Sequence, residues 1–145
     1  MPFRFSLATV LQIRESLEKR EERALQKIQL EMARVLHQIE ELNAEIAKSH
    51  KMREQEMAQP IPASHLHMLL WQVQAAGEKR VMLFQNLLAL EQQRDQQIKV
   101  YQQAHRDRET LTDMSNQQRD LYEQEQARGE QKSLDDIFMA RRHRS

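Results

Sequence analysis

The chain reads as all-α, a long two-helix antiparallel coiled-coil hairpin with a projecting C-terminal helix. Three observations predict this. Only two Gly and three Pro occur among 145 residues, too few turn formers for a domain of many short elements. Apolar residues return every three or four positions, which is the period of a helix face. Hydrophobic residues make up 39% of the chain and charged residues 30%, a balance that suits a narrow seam between paired helices better than a thick globular core.

The first helix is predicted over residues 3–57. From Leu25 its apolar positions run through Ile28, Met32, Val35, Ile39, Leu42 and Ile46, alternating steps of three and four as in a left-handed coiled coil. Upstream, Phe3, Leu7, Val10, Leu17, Ala24 and Ile28 form a second stripe whose junction with Met32 needs a stutter, an insertion that locally unwinds a supercoil.

The one strong interruption is Gln59-Pro60-Ile61-Pro62-Ala63-Ser64, where each proline lacks a backbone donor and restricts the residue before it. It predicts a turn over 58–64, with Ser64 as N-cap. The second helix is predicted over 65–140. Leu66, Leu69, Val73, Ala76, Leu83, Leu87 and Leu90 carry its rhythm, and Ile98, Tyr101, Ala104, Leu111, Met114 and Leu121 extend it more sparsely. Gly77 lies inside this pattern and costs only about 1 kcal/mol relative to Ala. A connection this short folds two helices back as an antiparallel pair, with position i opposing roughly position 122 minus i. Residues 116–145 then overhang the first helix as part of the single domain 1–145, and fraying is expected near Gly129.

Composition excludes several functions. Lys plus Arg equals Asp plus Glu at 22 each, so no basic field draws the chain to nucleic acid. The opening Met1-Pro2-Phe3-Arg4-Phe5 is too short and too soon polar for a secretory leader, and no apolar run approaches the roughly twenty residues needed to span a bilayer. Absence of cysteine excludes thiol catalysis and agrees with a reducing compartment. His65 and His67 have an H-x-H spacing but no cysteine or carboxylate cluster to complete a metal site. His105-Arg106-Asp107 repeats three letters of a kinase catalytic loop without the glycine-rich loop or strand-borne lysine that phosphoryl transfer needs. No cleft is predicted, so Glu40, Glu41 and Glu45 read as solvated charges, and the chain reads as a non-enzyme with no cofactor.

Three stretches are candidates for partner contact. In the tail, Leu134, Ile137 and Phe138 share one helical face beyond the reach of the first helix, either as a frayed terminus or as a docking face. Phe3 and Phe5 stand near the open end of the hairpin, as core caps or as exposed anchors of the same tip. Met68, Leu69 and Trp71, in the run Met68-Leu69-Leu70-Trp71, exceed what one seam can bury, and serve either loop packing or a contact at the far end.

The opening Phe3-Arg4-Phe5-Ser6-Leu7-Ala8-Thr9-Val10-Leu11-Gln12-Ile13-Arg14-Glu15 and the tail Glu130-Gln131-Lys132-Ser133-Leu134-Asp135-Asp136, followed by an arginine-rich end, resemble the flagellar type III export protein FliJ family, which is itself similar to injectisome stalk proteins. The resemblance covers nearly the whole chain, and the tail pattern is its most specific part. It implies a coiled-coil stalk, similar to the shaft of rotary ATPases, whose open end inserts into an export ATPase hexamer. It also implies contacts with the cytoplasmic domain of the export gate and with export chaperones, and a cytoplasmic location peripheral to the inner membrane. On that reading Phe3, Phe5, Leu134, Ile137 and Phe138 form the ATPase tip, with Asp135, Asp136, Arg141 and Arg142 as polar complements. The family usually carries Glu where this chain has Asp136. The far-end patch at Met68, Leu69 and Trp71 is assigned to the gate by position alone. The chain is expected to be a monomer in isolation, and the alternatives are an injectisome stalk or a self-associating structural coil.

Overall fold

The computed structural model describes residues 3–144. It contains two α-helices, α1 (Ala8–Met57, 50 residues) and α2 (Ala63–Arg144, 82 residues), packed against each other. Two units can be distinguished, one spanning Glu22–Val100 and the other holding the residues up to Glu21 together with those from Tyr101 onward.

The Glu22–Val100 unit is the apolar one. Met32, Val35, Ile39 and Leu87 form its buried cluster, with Ile28, Leu83 and Leu90 packed around it and Leu42 buried nearby. Val35 is only 3% exposed and shares the cluster with Leu87, the position that the predicted register sets opposite it. The β-branched pair Val35 and Ile39 suits such a seam, because each side chain is already confined to essentially one helical rotamer. At the turn, His65 Nε2 lies 3.0 Å from Glu56 Oε2, so the last turn of α1 and the first of α2 are tied by side chains.

The turn is shorter than predicted. Ser64 is not the N-cap: the carbonyl of Pro62 accepts from the N–H groups of His65 and Leu66 at 3.1 and 3.2 Å, which makes α2 begin at Ala63 instead of residue 65. Proline has no donor to lose there, and its fixed φ already suits a helix start.

In the other unit the N-terminal segment differs from expectation. Residues 3–7 are not helical; the N–H of Ala8 bonds the carbonyl of Phe5 at 3.1 Å, that of Leu11 bonds Leu7 at 2.9 Å, and α1 starts at Ala8. The segment ahead of the helix lays Phe5 against the seam, where it is 8% exposed. The ring of Phe3 meets Tyr122 at 5.7 Å, with the guanidinium of Arg119 at 5.9 Å from its centroid. A non-helical segment gains more length per residue than a helix, so Phe3 reaches Tyr122, and side-chain contact with α2 extends beyond residue 116.

No stutter is needed upstream of Met32. The half-buried positions run from Leu7, just ahead of α1, through Leu11, Arg14, Glu18, Glu21, Leu25 and Ile28, while Val10 is exposed. On α2 they pass through Tyr101, Ala104, Arg108, Leu111, Ser115, Gln118 and Tyr122, leaving Met114 and Leu121 exposed. Steps of three and four run unbroken once charged and polar residues are admitted to the seam.

From Glu123 to Arg144 every described residue is exposed, and α2 is helical through Gly129 and past residue 140 to Arg144. No described glycine takes a positive φ, so Gly129 stays helical at a cost of about 1 kcal/mol relative to Ala. Arg141, Arg142, His143 and Arg144 occupy the last turn, where positive charge meets the negative end of the helix dipole.

Replacing Leu87 by Ala should lower unfolding free energy by about 2–4 kcal/mol through lost burial and a partly uncollapsed cavity. Leu30→Ala, at a position 72% exposed, should stay within about 0.5 kcal/mol. Denaturant titration of the two variants would check this, and equal costs would refute the seam assignment.

Candidate interaction faces

Among the described residues no group of His, Cys, Asp or Glu could hold a metal ion, and no helix is long and apolar enough to cross a membrane. What the molecule offers is surface. Two faces carry residues singled out in sequence, and a third place carries a set of charges.

The tail face is open. Leu134 is 61%, Ile137 54% and Phe138 67% exposed, and Asp135, Asp136, Arg141 and Arg142 around them are exposed too. Gln131 donates to Asp135 at 3.2 Å, one turn earlier on the same helix. A shallow dent where Gly129 lacks a side chain, lined by Glu125, Gln126, Glu130, Ser133 and Leu134, adjoins this face. Phe3 and Phe5 do not join it. Phe3 packs at the level of Tyr122, about 18 Å of helix before Leu134 at 1.5 Å per residue, and Phe5 is buried. Phe5 is a core residue and Phe3 a half-buried ring, so the exposed-anchor alternative for this pair is not the arrangement adopted.

The far-end patch lies on the first turns of α2. Met68 and Trp71 are exposed, Trp71 to 68%, whereas Leu69 is half-buried and Leu70 is exposed instead. Ala63, Ser64, His67 and Gln74 complete the rim of a shallow concavity around Met68, Leu70 and Trp71.

The third place is a set of charged residues that sequence reading passed over. Glu18 on α1 accepts from Arg108 Nε at 2.6 Å and from Arg108 Nη2 at 3.4 Å, and His105 Nδ1 lies 2.8 Å from Glu18 Oε1. One helical turn away, Arg14 Nη1 reaches Asp107 Oδ2 at 3.4 Å, and Gln103 also donates to Asp107, at 2.9 Å. The side chain of Glu18 is only 15% exposed. The hydrogen bond from Arg108 holds its carboxyl below the ordinary glutamate value, outweighing the opposing effect of burial, and His105 adds to the lowering. Arg108 is raised in turn, chiefly by the bond to Glu18. His105 and Asp107, two letters of the spurious kinase match, thus have a structural use. The available signal was the opposite charges at mutually opposed seam positions on the two helices.

These pairs specify register. A slip by one heptad would set Glu18 against Ile98 and Tyr101, or against Thr112 and Ser115, with no cation in either place. Arg14 would meet Val100 or Met114. A half-buried charge stranded in that way costs more than the pair contributes when made, so wrong registers are penalised where the apolar seam is thinnest.

Because the carboxyl value of Glu18 is depressed on folding, its contribution is present above the unfolded value of about 4.3 and is lost as pH falls through the lower native value. The melting temperature should therefore fall on acidification below that point, and Glu18→Gln should show less of this dependence. A pH series of thermal melts checks it; identical profiles for the two proteins would rule out the contribution.

The family model described as Flagellar FliJ protein matches residues 3–145. Neither a curated protein nor a solved structure matches the chain. With the match running from the non-helical segment before α1 to the end of the overhanging helix, the chain belongs to the flagellar FliJ family.

Proposed function

We propose that the chain is a non-enzymatic stalk of the flagellar protein export apparatus. In this reading the overhanging part of α2 enters the export ATPase hexamer and promotes its assembly and activity, while the chain also contacts the cytoplasmic domain of the export gate and export chaperones. The protein then works in the cytoplasm, at the inner face of the membrane through its partners. The family supplies the apparatus, and the observation that carries the ATPase contact is the bare apolar face of Leu134, Ile137 and Phe138.

The physical reasoning is that of helix-in-groove recognition. An apolar stripe at i, i+3 and i+4 on a helix with no intrachain neighbour gains by burial in a partner's groove. Asp135, Asp136, Arg141 and Arg142 border the stripe with both signs of charge, which fits orientation and choice of partner more than affinity. A free helix of about twenty residues is marginal in water, so binding also stabilises the overhang. Phe3 and Phe5 act in this scheme from inside, by fixing the non-helical segment against α2 at the base of the overhang. Met68, Leu69 and Trp71 are the proposed gate contact, at the opposite end of α2 in sequence.

Adding the purified chain to the cognate export ATPase should raise its hydrolysis rate, and Leu134→Ala with Phe138→Ala should remove most of that stimulation. Both substitutions lie on the exposed overhang, so the melting temperature should change little. Full stimulation by the double variant would refute the tail face; failure of the natural chain to retain the ATPase in a pull-down would refute the stalk reading itself.

A further inference from the structure

Alongside the stripe that packs on α1, α2 carries a second apolar stripe. It comprises Leu66, Leu70, Val73, Gly77, Val81, Phe84 and Leu88, all within the Glu22–Val100 unit. Leu66 is half-buried and the other six are exposed. Their steps are four, three, four, four, three and four, so the pattern repeats after eleven residues, from Leu66 to Gly77 to Leu88. An eleven-residue repeat corresponds to about 3.67 residues per turn, close enough to the natural helix for a stripe to stay on one face over its whole length.

The same steps read identically in both directions from Gly77. We infer that this face pairs with the same face of a second copy of the chain, antiparallel, about a two-fold axis at Gly77. A closed two-fold interface requires a patch complementary to itself, and this one is. Leu66 falls opposite Leu88 of the copy, Leu70 opposite Phe84, and Val73 opposite Val81. Gly77 faces Gly77 at the axis, where an added Cβ would meet nothing within 4 Å in the single chain, leaving the space that two backbones need for close approach. Glu78, Lys79 and Arg80 fall opposite Ala76, Ala75 and Gln74 of the copy, so no charge directly opposes its like.

The stripe is about 33 Å long, and a helix about 10 Å wide laid along it covers roughly 330 Å² on each copy. The total of about 660 Å² lies below the roughly 1,000 Å² of a stable interface, in the range of weak, transient encounters. The dimer is therefore weak and concentration-dependent, formed where the chain accumulates and dissociated on dilution.

Sedimentation equilibrium of the full chain from low micromolar to near-millimolar concentration should show a monomer–dimer equilibrium. Gly77→Glu should raise its dissociation constant roughly tenfold or more while leaving helicity and melting temperature at dilute concentration undiminished. The chain has no cysteine, so pairing can be mapped with single-cysteine variants. Leu70→Cys mixed with Phe84→Cys should form a mixed disulfide dimer under oxidation, and Leu70→Cys alone should not. A monomer at every concentration, a dimer indifferent to Gly77→Glu, or efficient bridging by Leu70→Cys alone would each overturn the proposal.

Discussion

Two helices packed side by side bury one stripe each, and that constraint governs the rest of this molecule. Six hydrophobic residues among those described are buried, namely Phe5, Met32, Val35, Ile39, Leu42 and Leu87. A seam of this width cannot absorb every apolar residue the chain carries, so the surplus is displayed. The exposed faces at Leu134 to Phe138, at Met68 and Trp71, and along Val81 to Leu88 are three consequences of one geometric limit.

The seam divides its work between its two units. In the Glu22–Val100 unit apolar burial of Met32, Val35, Ile39 and Leu87 supplies the attraction, and apolar contacts are not directional. In the other unit Glu18 with Arg108 and Arg14 with Asp107 are directional, and a slip of one heptad either way takes their partners away. These ion pairs add little net stability, since even good ones lose much of their attraction to desolvation and screening. Their contribution is the choice of alignment, while the hydrophobic cluster supplies adhesion.

The sequence made the two helices, their antiparallel pairing and the apolar core positions readable, because those depend on local periodicity and on one proline-marked turn. What it hid has a common cause. A search for apolar letters at steps of three and four passes over a seam built from Arg14, Glu18, Glu21 and Arg108, and drifts onto Val10, Met114 and Leu121, which are exposed. The non-helical start at Phe3 and Phe5 was hidden because aromatic burial, a tertiary gain, overrode the helical continuation. The tail face could be read because Leu134, Ile137 and Phe138 lie past the last residue the first arm can cover. That Phe5 is withdrawn from it depended on packing that no local pattern encodes.

The uninterrupted run of threes and fours from Leu7 to Ile46 carries an evolutionary consequence. Loss or gain of seven residues within one arm would shift everything beyond it against its partner and break the charged pairs. A matched change of seven in both arms, within the same unit, would restore every opposition. Arm length could therefore change without redesigning either end only by paired heptads, one in each arm.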